Sequence, residues 1–187
     1  MSTAPRVLRD GLPGMRASGR ELTEGRFATS ARGPDVAVVL RMLDDALAAE
    51  LVCVMRYRQH YYSAQGFLAE VIKAEFLAHS HSEQAHADMI AARMVQLGGS
   101  PDFNPAGLVA RAHIPFGKAD SLLEMISENL AAEHAAIDSY RRIIQYLQED
   151  DSTTRIMLEQ ILAVEEEHAA DLAGILKNAR ADFAERR

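Results

Sequence analysis

The chain has 187 residues, 48% of them hydrophobic, and a formal net charge of −7; that is enough apolar material for one domain with a sizeable core and fits neither a disordered chain nor a fibre. No run of about 18 apolar residues offers a membrane span, and the N-terminus lacks the apolar core of a secretory signal, so a soluble, cytoplasmic protein is expected. A single cysteine, Cys53, excludes an internal disulfide framework and any zinc site built on several thiolates.

Residues 1–34 carry Arg6, Arg9, Arg16, Arg20, Arg26 and Arg32 against Asp10, Glu21 and Glu24, among several glycines and with no sustained apolar period. This stretch is expected to be an irregular, arginine-bearing extension, and residues 35–182 the folded domain. At Pro34 and Asp35 a helix start is followed by an apolar seam at Val36, Leu40, Leu43, Leu47, Val54, Tyr57 and Tyr61, interrupted by one acid, Glu50. Gly66 ends that helix. A second seam runs through Ile72, Phe76, His79, Glu83, His86, Ile90 and Leu97 to the stop at Gly98 and Gly99. Ser100 to Lys118 holds Pro101, Pro105 and Pro115 and reads as a crossover with a helical turn or two after Asn104. Ser121 and Glu124 have capping-box spacing, and the third seam contains Leu122, Ile126, Leu130, Glu133, Ile137, Tyr140, Ile144 and Leu147. The acidic turn Glu149-Asp150-Asp151 leads to a fourth seam at Leu158, Ile161, Glu165, His168, Leu172 and Ile175.

Four long helices with a short first loop, a long middle connection and a short last loop predict an all-α fold, an antiparallel four-helix bundle of two hairpins. The hairpins resemble each other. Glu50 precedes Glu83 by 33 residues and Glu133 precedes Glu165 by 32, and Glu50…Tyr57-Arg58 matches Glu133…Tyr140-Arg141. Glu83 with His86 and Glu165 with His168 are pairs at i and i+3, which a helix presents on one face. The repeat therefore places Glu50, Glu83, His86, Glu133, Glu165 and His168 near mid-height of the bundle with approximate two-fold symmetry.

Four carboxylates in a helical core repel one another, and each ionised group costs several kcal/mol to bury, so they require neutralisation. Two divalent cations balance four carboxylates, while two neutral imidazoles add ligands without charge. Oxygen and nitrogen donors without thiolate suit iron or manganese, with zinc as a substitute, and suit calcium poorly. One Glu from each of two helices plus Glu-x-x-His from each of the other two is the donor set of carboxylate-bridged di-iron and di-manganese bundles. Glu166 and Glu167 lie off the seam and are expected to be solvated.

On these motifs the chain, from Asp35 to Ala181, resembles the bacterioferritin-type members of the ferritin-like superfamily. The resemblance implies that Glu83 and Glu165 bridge two iron ions, that Glu50 and Glu133 are terminal ligands, and that His86 and His168 each bind one ion. It also implies a redox-active role for Tyr57. Gln84 stands where the family has its haem-ligating methionine, so no haem is expected, and Asp171 stands where the family has a tryptophan. His79, His81 and His134 adjoin the ligands, and Asp88 and Asp171 are candidates to orient the ligand histidines.

The expected function is that of a ferroxidase which oxidises Fe(II) with O2 or H2O2 and sequesters the ferric product. A manganese catalase or rubrerythrin-like peroxidase is the alternative from nearly the same ligands, and a DNA-protecting Dps-like particle is a further one. A homo-oligomeric cage is expected, with 12 subunits favoured over 24 or a dimer, because only 19 residues follow His168. The acidic total and the lack of a dense lysine cluster argue against DNA as a partner.

Overall fold

In a computed structural model of the chain, which describes residues 33–66, 68–112 and 114–185 with side chains through residue 181, the first long helix is α1 (Val36–Ser63). Asp35 starts it by accepting a hydrogen bond from the Ala37 amide at 2.9 Å. It thereby satisfies one of the amides that a helix start leaves without an internal partner. The arginine-bearing stretch to residue 32 lies outside the described residues.

After the loop around Gly66, α2 (Ala69–Gln96) returns along α1 and stops at Gly98, whose φ of +82° is the left-handed conformation that favours glycine. The Gly98 and Gly99 amides close that end by donating to Val95 and Met94 carbonyls, each at 2.9 Å. The crossover contains a 3-10 turn at Pro105–Gly107, capped by Asn104, followed by a short helix α3 (Leu108–Ala112) that packs on α1. It is clamped by Arg111, which reaches Asp44 at 2.6 Å and Asp102 at 3.3 Å. The predicted capping box is present at the start of α4 (Leu122–Leu147): Ser121 accepts from the Glu124 amide and Glu124 accepts from the Ser121 amide.

Helix α5 (Ser152–Glu185) follows a turn in which Gln148 takes a φ of +48°. Asp151 caps α5 by accepting from the Thr154 amide at 3.0 Å, and Arg93 of α2 binds both the Asp151 carboxylate and the Thr154 hydroxyl. The α4–α5 turn is thus tied to the first hairpin. Helix α1 packs against α2 and α4, α4 against α5, and α2 against α5. Among the described residues, no helix is long and apolar enough to cross a membrane.

Two apolar clusters fill the bundle. One contains Tyr57, Phe76, Ile126 and Leu172; the other contains Leu43, Leu47, Ile90, Ile143 and Leu158. The polar seam positions lie between them. Each fully buried large side chain contributes about 1.5–3 kcal/mol, so the two clusters together offset the cost of holding charged groups in the middle. Helix α1 is buried more widely than its single seam predicts, because the crossover covers a second face: Ala48 and Val52 pack with Leu108 and Ala112.

Candidate metal centre

The four long helices each contribute to one buried constellation. Glu50 comes from α1, Glu83 and His86 from α2, Glu133 from α4, and Glu165 and His168 from α5; all are buried, the four carboxylates to 2% exposure or less. They form two overlapping sets of donors. In one, Glu50, Glu83, His86 and Glu165 offer ligand atoms all within 4.8 Å of one another; in the other, Glu83, Glu133, Glu165 and His168 do the same. Glu83 and Glu165 belong to both sets, whereas Glu50 with His86 and Glu133 with His168 occupy opposite ends.

Both imidazoles turn Nδ1 towards the carboxylates. His86 Nδ1 lies 2.9 Å from Glu165 Oε1, 3.3 Å from Glu83 Oε2 and 3.6 Å from Glu50 Oε2. His168 Nδ1 lies 3.3 Å from Glu83 Oε1, 3.6 Å from Glu165 Oε2 and 4.0 Å from Glu133 Oε1. Proximity is not saturation, however: Glu50 Oε2, Glu83 Oε1, both Glu165 oxygens and His168 Nδ1 are buried without a properly directed hydrogen bond. Buried polar atoms normally find partners, and leaving one without costs about 1–3 kcal/mol. These orphaned atoms converge on one small volume and fit a pair of divalent cations, which would satisfy them together.

Without cations the charges redistribute by proton. Burial, then the neighbouring Glu50, Glu165 and Glu133, push the Glu83 carboxyl well above the usual carboxylate range. Burial and the contact with Glu165 do the same to Glu133. Glu165 goes the other way: burial pushes it up, but the close approach of His168, His86 and Glu133 outweighs this and holds it below its ordinary value. For His86, burial opposes the charge, yet the nearby Glu165, Glu50 and Glu83 carboxylates push it up to about 12. These directions favour extra protons on Glu83, Glu133 and His86 in the metal-free centre, around a Glu165 that favours its charged form.

Tyr57 lies against this centre, its hydroxyl donating to Glu133 Oε1. Tyr140, the matching residue of the second hairpin, donates to Glu50 Oε1. The repeated Glu-x6-Tyr spacing thus produces two crossed bonds between hairpins. His79 is also buried here, with Nδ1 3.1 Å from the Tyr57 oxygen and its ring stacked on His168. His81 and His134 are exposed and stand away from the ligands. Asp88 does not orient a ligand histidine; it accepts a hydrogen bond from Gln84 at 3.0 Å, and Asp171 is exposed. Glu166 and Glu167 are exposed as expected, Glu166 pairing with Arg141 at 2.6 Å.

One polar cluster was not anticipated. Arg56 and His60 are buried on α1, where the Arg56 guanidinium donates to Cys53 Sγ at 3.1 Å and to the Pro115 carbonyl at 3.2 Å. His60 Nδ1 meets the buried Asn129 side chain at 3.0 Å, and burial followed by the Arg56 charge lowers its pKa to about 4. These contacts tie α1 to the crossover and α4. Their only sequence signal is the i, i+4 spacing of Val52, Arg56 and His60 on the face that also carries Ala48. Cys53 is buried, and burial pushes its thiol up.

Comparison with known proteins agrees with this architecture. The ferritin-like domain family matches residues 40–181. The chain is 32% identical over 135 residues to the bacterioferritin of Mycobacterium leprae, covering 70% of this chain and 78% of that protein. It is 31% identical over 135 residues to the bacterioferritin of Streptomyces coelicolor, covering 70% and 74%. Among solved structures, the bacterioferritin-related dodecameric thioferritin of Bacteroides fragilis superposes with a TM-score of 0.77 at 27% identity, covering 90% of this chain and 98% of that one. Dps from Thermosynechococcus elongatus shares the fold with a TM-score of 0.72 at 21% identity, covering 75% and 90%.

Proposed function

The chain belongs to the ferritin-like domain family, and on that premise we propose that it is a di-iron ferroxidase that oxidises Fe(II) and sequesters the product in a homo-oligomeric cage. The observation that carries this reading is the sharing of Glu83 and Glu165 between two donor sets, each of which has its own terminal carboxylate and imidazole. The bacterioferritins among its relatives support iron as the metal. The dodecameric state of the Bacteroides fragilis protein supports a cage of 12 subunits.

In this reading two ferrous ions are the substrate. Glu83 and Glu165 bridge them, Glu50 and His86 complete one end, and Glu133 and His168 complete the other. Each ion gives up one electron; two electrons and two protons convert O2 to H2O2, or H2O2 to two waters. The residues' part is to hold both electron donors side by side and to hold the charge steady while electrons leave. The protons held by Glu83, Glu133 and His86 would be displaced as two divalent cations bind, so the leaving protons offset most of the incoming positive charge. The hydroxyl of Tyr57, which donates to Glu133 Oε1, supports a redox role for this residue in the same reading.

Metal analysis of the natively purified protein, combined with its mass by light scattering, tests the reading. Iron in a particle of about a dozen chains is expected from closed ferritin-like symmetry. Manganese together with rapid peroxide disproportionation, and no net metal oxidation, would replace the ferroxidase with a catalase.

A further inference from the structure

The two ends of the centre are built from repeated hairpins but are not alike. Four residues before Glu83 stands His79; four residues before Glu165 stands Ile161. His79 is 4% exposed, and its ring lies flat on that of His168, with centroids 4.0 Å apart and planes inclined by 18°. It also meets the Tyr57 hydroxyl through Nδ1 at 3.1 Å and stands edge-on to the Tyr57 ring. No such ring lies on His86 among the described residues: its ring neighbour is His168, at 6.2 Å. Among the described residues His168 has two ring neighbours, His79 at 4.0 Å and His86 at 6.2 Å, whereas His86 has only the more distant His168.

Resting on the di-metal reading above, we propose that His79 is a positioning residue that makes the two metal subsites unequal, so that the first divalent cation fills the Glu133–His168 end. His79, Glu133 and His168 do offer atoms within 4.8 Å of one another. Rings stacked flat aim their in-plane lone pairs side by side and not at one point, so His79 acts on His168 and is not a ligand. A ligand whose ring is already fixed loses less freedom when it binds, and that preorganisation appears as affinity. Only the ring freedom that the stack has already removed enters the binding constant, and the usual strength of an aromatic pair bounds that gain at roughly fivefold. The crossed tyrosine bonds do not reverse the order, because Tyr57 on Glu133 and Tyr140 on Glu50 load the two ends equally.

The test measures the first Co(II) bound by each end separately, from the visible absorption of the metal during anaerobic titration of the full chain. Glu50→Ala leaves the Glu133–His168 end whole, and Glu133→Ala leaves the Glu50–His86 end whole. Glu50→Ala is expected to bind its first ion with near wild-type affinity, and Glu133→Ala several-fold more weakly. Adding His79→Ile, which copies Ile161, should weaken the Glu50→Ala background by up to roughly fivefold and leave the Glu133→Ala background unchanged. His79→Gln, which retains a hydrogen-bonding group for Tyr57 but has no ring, should behave like His79→Ile. Equal effects of His79→Ile on both backgrounds, or none on either, would overturn the proposal, as would a tighter first ion in Glu133→Ala. Failure of the wild-type chain to bind Co(II) at all would instead remove the di-metal reading on which the proposal rests.

Discussion

The Tyr57 hydroxyl on α1 donates to Glu133 Oε1 on α4. The bond crosses from one hairpin to the other, and Tyr140 on α4 returns the same bond to Glu50 on α1. In the metal-free protein these hydroxyls satisfy one oxygen of Glu133 and one of Glu50. Removing either leaves a buried oxygen without a donor, at a cost of about 1–3 kcal/mol. Tyr57→Phe and Tyr140→Phe are expected to lower metal-free stability in denaturant by that amount and by similar amounts to each other. Zinc should shrink both deficits, since the cation takes over part of the hydroxyl's role; deficits that zinc leaves unchanged would show that the hydroxyls and the cation act on different atoms.

The direction of the proton shifts predicts how metal affinity and stability depend on pH. Glu83, Glu133 and His86 all bind protons more tightly in the folded, metal-free protein than in the unfolded chain. Buried His60 and His79, whose pKa values are lowered to about 4, offset this up to the ordinary histidine range; above roughly 6.5 the folded state holds the surplus of protons, and metal-free stability should fall as pH rises towards 8. Glu165, held low, loses its contribution only under acid. Cations displace the same protons. Metal affinity should rise over that pH range, with protons released on binding in calorimetry across buffers of different ionisation enthalpy. No release would contradict the proton-loaded centre.

Glu83 and Glu165 both belong to the two donor sets, but their carboxyl pKa values shift in opposite directions, and amide substitutions separate them. Burial and its carboxylate neighbours push the Glu83 carboxyl up towards its neutral form, so Glu83→Gln should change metal-free stability by less than about 1 kcal/mol. Glu165 is the ionised partner of His86, so Glu165→Gln should cost about 3 kcal/mol by leaving a buried charge unpaired. Both variants should lose tight binding at both subsites. Equal thermal melting of the two metal-free variants would show that the charge is not localised on Glu165.

Much of this arrangement was legible in the sequence because two periodicities coincide. The helical seams placed Glu50, Glu83, His86, Glu133, Glu165 and His168 inward, and the repeat between hairpins placed them at one height. What was not legible depends on contacts that cross the repeat. The Tyr57–Glu133 and Tyr140–Glu50 bonds join residues 76 and 90 positions apart, and spacing within a helix does not say which partner a seam tyrosine meets. Arg56 and His60 look like ordinary surface residues until the crossover is laid over them. Asp88 sits two residues from His86, but on a helix that separation points it to another face, where Gln84 takes it up.

We propose that residues 1–34 form an extension outside the bundle domain and join neighbouring subunits, their arginines pairing with acidic faces. Deleting residues 2–33 is expected to break the large particle into smaller species by light scattering while leaving metal binding intact. Intact particles that lose salt-sensitive DNA binding would assign the arginines to nucleic acid instead.

Oxidation of iron at a buried pair of subsites is measured most directly by loading the metal-free protein anaerobically with two Fe(II) per chain, mixing it rapidly with O2 and following the ferric absorbance. A centre bridged by Glu83 and Glu165 gives a fast phase that saturates at two Fe(II) per chain and collapses in Glu83→Ala and Glu165→Ala. Oxidation no faster than that of free Fe(II) in the same buffer would contradict the proposed ferroxidase.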